Sequence, residues 1–598
     1  MCLLKVLYIE YLCIDERLYA SVARIAAAAD CSGVSVGNRH RAYYLQVALY
    51  YLYRLAGHVF IVAGCVQLTT ALAVNDGSPA CLWFPDSPTT SAANVLMLTP
   101  IGSRSVRQLF STLARGLVDR GHHVTIVSCG EPVPHHPNVT HVLTPHSALD
   151  QMDLFEVRES GAVFKLWLKA FPAVAREMYT DRKVMELWHR RTDFDAIIVN
   201  SAANEMAFPF LLDIKVPFIT LAPTGTEPLQ LAYLGNFVSP AALPSVVVHY
   251  DDTLSLWERL VNTLATIAIR YSFRRTVGYP LANALRDFFP NLPDPFEIYP
   301  NQSLSLLNRH HLLDGAIPLL PNQVEVGCMN CQPARPVPEE VAEWLDGAGE
   351  AGVVYFSLGS FQNASRIPQK YREALFNAFA RLPHRVLIKF SGHGFELPPN
   401  VRSFTWLPQQ DILGHKSIRV FITHCGKHSA AEALYHGVPI LGLPITFDQP
   451  RTCARMARRQ EGIVLQWEEL TVETIVSAVH ELTNNQKYRD RVVGVSRRMK
   501  AQKETGLNRA IWWVEYIIDH GKDYLRFSGA ELSLSQYLLL DILGIITVLT
   551  AIIGGIFIFL ARSVLKMFWP SSLSKAILST VFTYVVYNLL LLVLITSQ

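Results

Sequence analysis

The segment FITHCGKHSAAEALYHGVPILGLPITFDQP, residues 421–450, gathers the side chains best suited to chemistry. An apolar run ends at His424, a turn of small residues follows, and Ser429-Ala-Ala-Glu432 has the spacing of a capping box that opens a helix. A helix N-terminus presents free N–H groups and about half a positive charge, which together cradle a pyrophosphate. His424, beside that turn, can donate to the same oxygens. Such a site needs no basic surface, and the chain carries little charge surplus: 53 basic residues face 50 acidic ones, for a net charge of +3. Nucleic-acid binding, which requires a basic patch and a charge surplus, is excluded on that balance.

Other motifs carry less. Asp193-Phe-Asp195 has the form of a metal-binding DxD, but it enters a buried apolar run and reads as a strand edge, so no metal is predicted. Cys328-Met-Asn-Cys331 is a CxxC without a second pair, short of a four-ligand zinc site; a disulfide or two free thiols remain. Arg455, Arg458 and Arg459 are expected on a solvated helix face. His122 and His123 are expected at the C-cap of the helix that follows the first strand.

The elements that must hold these residues alternate. NVLMLT at 94–99, the helical pattern VRQLFSTLARGLVDRG and HVTIVS at 123–128 form a right-handed βαβ unit. FDAIIVN at 194–200 and VPFITLAP at 216–223 are further strands, and no GxGxxG follows the first one. A Pro-rich stretch at 318–338 reads as a linker. A second series then begins: GVVYFSLGS, RVLIKFSG, VRSFTWLP, RVFITHCG and PILGLP. The pattern predicts an α/β protein of two doubly wound domains, 94–317 and 339–530, facing a cleft, with ligands at the C-terminal ends of the strands.

At 598 residues the chain exceeds one ordinary core. Half of it is hydrophobic, 17% is charged and mean hydropathy is +0.21. A soluble domain is about a quarter charged, so part of the apolar excess belongs in lipid. Disorder is excluded by 29 Phe, 23 Tyr and 10 Trp, and ten cysteines are too few for a disulfide scaffold. The uncharged run 542–561 is long enough for a transmembrane helix. Arg562, Lys566 and Lys575 follow it, which places that end in the cytoplasm and the preceding chain in a lumen. A second run, 576–595, could span or lie at the interface. Residues 1–56 form an atypical extension, and 57–73, ending in Ala71-Leu72-Ala73, resembles a late signal peptide or a signal anchor. Sequons at Asn138, Asn301 and Asn363 support translocation.

Residues 421–450, VVYFSLGS at 353–360, Trp406-Leu-Pro-Gln409 with its continuation to His415, and GHHVT at 121–125 together resemble the UDP-glycosyltransferase family. That family includes membrane-anchored animal UDP-glucuronosyltransferases and UDP-glucosyltransferases. The resemblance implies the GT-B fold, with two Rossmann-like domains and the UDP-sugar held mostly by the second. It implies that Trp406 stacks on uracil, Gln409 contacts the nucleoside and Glu432 accepts from the ribose hydroxyls. Ser360, His424, Gly426 and Ser429 would surround the pyrophosphate, and Asp448 and Gln449 would bind sugar hydroxyls. Cys425 stands where the family usually has glycine and His428 where many members have asparagine. Cys425 is expected to crowd the phosphate loop, and His428 to keep a hydrogen-bond donor there.

Inverting members of the family use a His to deprotonate the acceptor and an Asp to orient it. Those positions fall on Val106 and Asn200, so neither group of the dyad is present. The resemblance therefore implies a hexosyltransferase with UDP-glucuronate or UDP-glucose as co-substrate, no cofactor, and a small lipophilic acceptor. Its activity would be reduced or biased to amines; the alternatives are a UDP-sugar-binding pseudoenzyme or a lipid-modifying transferase. The implied location is the endoplasmic reticulum membrane with lumenal domains, in one pass or two, and homo- or hetero-oligomers are left open.

Overall fold

The computed structural model describes residues 91–568 except 130–135, 145–152, 161–162, 202–203, 226, 246–247, 249, 251–253, 360–365 and 391–395. The 1–56 extension, the 57–73 signal-like segment, the 576–595 run, Ser360 and Asn363 lie outside the described residues. Pro85–Leu532 forms one unit, and the chain from Ser533 belongs to another.

Short apolar runs bounded by turns become parallel strands, buried on both faces in the middle of each sheet and partly exposed at the edge strands. The first sheet contains β1 (Asn94–Thr99), β2 (His123–Cys129), β3 (Val139–Thr144), β4 (Ala196–Asn200), β5 (Phe218–Ala222), β6 (Leu304–Leu307) and β7 (Gln323–Glu325), ordered β3-β2-β1-β4-β5-β6-β7. The second contains β8 (Val353–Ser357), β9 (Arg385–Lys389), β10 (Val401–Phe404), β11 (Ile418–Thr423), β12 (Ile440–Gly442) and β13 (Gly462–Val464), ordered β10-β9-β8-β11-β12-β13. Strand order reverses between β1 and β4 in the first sheet and between β8 and β11 in the second. Those reversals open the crevices where doubly wound sheets bind ligands.

Alternation along each strand feeds two cores. Leu96 and Leu98 of β1 join one cluster, which continues into Val354 and Phe356 of β8. Val95 and Met97 join the other, beneath α1 (Arg104–Asp119). The Pro-rich stretch 318–338 is more than a connector, since β7 lies within it and pairs with β6.

Five further helices of Pro85–Leu532 matter below: α2 (Leu256–Phe273), α3 (Gln409–Leu413), α4 (Lys427–His436), α5 (Gln449–Arg458) and α6 (Gly506–His520). Ala510, Ile511, Trp513, Val514 and Ile517 give α6 an apolar stripe at helical spacing. That stripe packs on α1, so the last helix of the unit returns to the first sheet. Gly116 permits the approach, because a Cβ there would lie 2.5 Å from Ile511 Cδ1. Arg120 donates to Glu515 of α6 at 3.0 Å, and Arg120, rather than a histidine, is the C-cap of α1. His122 is buried instead: its Nδ1 accepts the Ala93 N–H at 3.1 Å and its Nε2 lies 3.2 Å from Glu515. Its expected capping role is therefore replaced by a clamp between β1 and α6.

Asp195 Oδ2 accepts from the Asn94 N–H at 2.7 Å, and Asp193 pairs with Arg190 at 3.0 Å. Both acids thus serve strand and turn ends. In the other unit, α7 (Leu540–Phe568) contains a 25-residue stretch, Leu540–Val564, of mean hydropathy 2.7, long and apolar enough to cross a membrane.

Candidate functional site

β11 delivers His424 to the second crevice, and Cys425 then turns the chain sharply in the left-handed region, at φ +60°. This turn starts α4 at Lys427 with Gly426 as N-cap, earlier than the expected capping box allows. Ser429 and Glu432 are therefore interior residues of α4, and neither caps it. Glycine is required at 426, since a Cβ would sit 2.5 Å from His424 Nε2. Gly359 approaches the other side of that ring, where a Cβ would lie 2.6 Å from Cε1. The imidazole is thus held beside the helix N-terminus. Burial, reinforced by the nearby Lys389 ammonium, lowers its pKa to about 4, so it is neutral at physiological pH.

Cys425 does not crowd the loop as its side chain suggested. It forms a disulfide with Cys453 of α5 and is buried in the core beneath β12. Gly442 makes the room, because a Cβ there would meet both sulfurs, at 2.4 and 2.6 Å. His428 is half-buried, with Nε2 facing the amide of Asn308 at 3.3 Å. Burial and the Lys427 charge lower its pKa to about 4. The neutral ring accepts at Nε2, leaving Nδ1 as the donor.

Amides assemble the side of the crevice next to α3. Gln409, the first residue of α3, donates through Nε2 to Glu432 Oε2 at 2.6 Å and to Ser429 Oγ at 3.1 Å. Asn330 donates to Glu432 Oε1 at 2.6 Å, so each carboxylate oxygen accepts one amide and keeps a second lone pair. Asn330 lies inside the CxxC, which is closed as a Cys328–Cys331 disulfide. Gln410 fastens that loop, donating to the Asn330 carbonyl at 2.7 Å and accepting the Gln332 N–H at 2.9 Å. Burial pushes the Glu432 carboxyl up to about 7, against the opposing pull of Gln409, Asn330 and Lys389.

Trp406, 49% exposed, offers its indole at the same crevice. The Arg104 guanidinium lies 3.7 Å from its ring centroid and the Lys389 ammonium 4.3 Å. Burial, then the Arg104 charge, lowers the Lys389 pKa to about 8, and Lys389 donates to the Gly359 carbonyl at 3.0 Å.

On the α5 side of the crevice, Asp448 is the N-cap residue of α5 and lines a polar recess with Thr224, Glu227, Lys427, Arg451 and Thr452. Burial raises its pKa, opposed by Lys427. Gln449 is buried, and its Oε1 accepts the N–H groups of Ile445 and Thr446 at 2.8 and 3.1 Å. Its amide nitrogen is the group left to meet a ligand. Arg455 is not on a solvated face: it is buried and lies 3.4 Å from Asp314, which also pairs with Lys427. Burial would raise the Asp314 pKa, but Lys427, Arg455 and Arg309 outweigh it and hold the carboxyl well below its usual range. Arg459 donates to the Leu312 carbonyl at 2.8 Å, and only Arg458 of the three is exposed. Apolar spacing on α5 concealed this, because the partners come from 312–314.

Val106 and Asn200 both border the loop that follows β1, at the crevice of the first sheet. Asn200, buried at the end of β4, donates to the Ile101 carbonyl at 2.7 Å. Val106 lies in the first turn of α1 against Gly102, where a Cβ would lie 3.0 Å from Val106 Cγ1. Neither side chain can take a proton. The sequence missed Asn330, Lys389, Arg104 and the Lys427–Asp314–Arg455 cluster. The CxxC was the one signal near Asn330, and it pointed to sulfur rather than to the amide between.

Residues 146–570 match a family model described as UDP-glucoronosyl and UDP-glucosyl transferase. UDP-glucosyltransferase 2 of Dactylopius coccus is 30% identical over 497 residues, covering 81% of this chain and 96% of the relative. The 2-hydroxyacylsphingosine 1-beta-galactosyltransferase of Homo sapiens is 30% identical over 474 residues, 75% of this chain and 85% of the relative. Among solved structures, LpCGTa in complex with UDP matches 72% of this chain and 100% of its own at 17% identity, with a TM-score of 0.48.

Proposed function

We propose, on the premise that the chain belongs to the UDP-glycosyltransferase family, that it transfers a glucosyl or glucuronosyl group from UDP-sugar to a small lipophilic acceptor. Its two parallel sheets are the Rossmann-like halves of the GT-B fold. The residues from β1 through β7, with α6 packed on them, form the acceptor half, and residues 339–500 the donor half. The observation that carries the reading is the Gln409–Glu432–Ser429 cluster beside the N-terminus of α4, at the strand-order reversal of the second sheet.

Trp406 supplies a π-face for uracil, and Glu432 accepts both ribose hydroxyls through the lone pairs its amides leave open. The free N–H groups of α4, with neutral His424 and Ser429, take the pyrophosphate, whose charge the helix dipole favours. Asp448 and the Gln449 amide orient the sugar. Ser360 belongs to the same set by its place after β8. The acceptor attacks the anomeric carbon as the bond to UDP breaks, inverting that centre. A hydroxyl acceptor must also lose its proton, and Val106 and Asn200 provide no base. An amine attacks as the free base and loses its proton afterwards, so amines suffer less.

Anchorage by α7 holds the chain at the endoplasmic reticulum membrane with both halves lumenal. The two disulfides suit an oxidising compartment. The sequons at Asn138 and Asn301 sit at exposed positions. UDP release with phenol and amine acceptors tests the reading. The unmodified chain should favour the amine, and Val106→His/Asn200→Asp should raise phenol turnover about 10²–10⁴-fold, the usual value of a general base. Efficient phenol conjugation without those changes would refute the missing-base account. UDP-sugar binding with no turnover on either acceptor would instead favour a pseudoenzyme, the reading that Val106 and Asn200 also support.

A further inference from the structure

Helix α2 presents an apolar face with no partner among the described residues. Leu256, Trp257, Leu264 and Ile267 are 77%, 69%, 58% and 61% exposed, and Leu260 and Tyr271 are also exposed. At 3.6 residues per turn these six fall in an arc of about 100°. The opposite side is tied down: Asn262 is buried, accepts the Ser245 N–H at 2.9 Å and donates to the Leu243 carbonyl at 3.1 Å. Exposure is therefore a property of one face rather than of a loosely attached helix.

Among the described residues, the charges that border that face are basic. Arg259 and Arg270 flank it on one side, and Arg275 lies at its C-terminal end, over the Tyr271 ring at 4.7 Å. Arg274 pairs with Asp294 at 3.7 Å within the protein. The sole acid of α2, Glu258, points away and closes a capping box with Ser255. Leucines bounded by arginines, with a Trp and a Tyr at the margins, form the pattern of a helix lying in a bilayer interface.

We propose that α2 lies flat on the membrane that holds the chain, its Leu256–Tyr271 face among the acyl chains and its arginines at anionic headgroups. This rests on the membrane-anchored reading of α7, which keeps lipid at high local concentration. A protein surface would require acids to meet the arginines, whereas the headgroup phosphates of a leaflet supply negative charge over its whole area.

The full chain in nanodiscs of phosphatidylcholine and phosphatidylserine, with or without acyl-brominated phosphatidylcholine, tests the proposal. Tryptophan emission of the wild type minus that of Trp257→Phe isolates residue 257. That component should lose at least half its intensity in brominated discs. Leu260→Asp/Leu264→Asp, which changes only exposed positions, should restore it. Equal brightness of the Trp257 component in both kinds of disc would overturn the proposal. So would protection of the face by a second copy, seen as a disulfide-linked dimer of Leu260→Cys. Resistance of the chain to alkaline carbonate extraction reports α7 separately, so loss of the anchor is distinguishable from loss of α2 contact.

Discussion

In the proposed function, Glu432 sets the chemistry of the nucleoside site through its protonation. Its pKa near 7 means that the carboxylate, the form with open lone pairs for a ribose diol, is gained as pH rises through neutrality. UDP affinity should therefore increase between about pH 6 and pH 8, within the range over which a group of this pKa titrates. Asn330→Ala removes a donor to the charged form and should move that midpoint to higher pH, weakening UDP binding at pH 7 several-fold. Asn330→His, which keeps a donor, should recover part of the loss. Calorimetric titration across the pH range reads both, and an unshifted midpoint in Asn330→Ala would show that Asn330 only shapes the loop. Tyr355 of β8 and Lys389 of β9 are the other titrating groups that act on Glu432, and neither changes charge in this range in the direction of the predicted effect. Ser429 and Glu432 were legible because their segment, residues 421–450, is chemically dense, and Gln409 was legible through the resemblance carried by residues 406–415. Asn330 was not, since nothing in a local pattern brings residue 330 to residue 432.

At the scale of elements, the turn from β11 into α4 is held by Cys425–Cys453, which closes a loop with a sequence separation of 28. Cross-linking a loop of that size stabilises by about 3–4 kcal/mol in the chain-entropy model. Cys453→Ser should therefore lower the thermal unfolding midpoint and weaken UDP binding together, because the same bond holds α4 to α5. A variant that loses stability but binds UDP as before would separate the bond from the site. The strands and their parallel order followed from apolar runs alternating with helical periods. The start of α4 did not: a left-handed Cys425 overrode the capping-box spacing. The Arg455 face also escaped prediction, because Asp314 reaches it from a distant loop.

Across the whole molecule, α6 returns from the donor half to pack on α1, and Glu515 there engages both Arg120 and His122. The two strand-order reversals thus belong to one compact unit, with Arg104 of the first half over Trp406 of the second. The apolar excess of the composition is met in part by α7 and by the open face of α2, and the near-neutral charge by a phosphate site made of backbone donors. Composition and periodicity could not reveal the uneven state of the two crevices that the proposed function implies: a furnished donor side, and an acceptor side where Val106 and Asn200 offer no base. Titration of the full chain with UDP, beside Glu432→Ala, tests that central claim most directly. The account predicts one saturable site in the wild type and at least tenfold weaker binding in the variant. No binding by the wild type, or equal affinity in both, would contradict it.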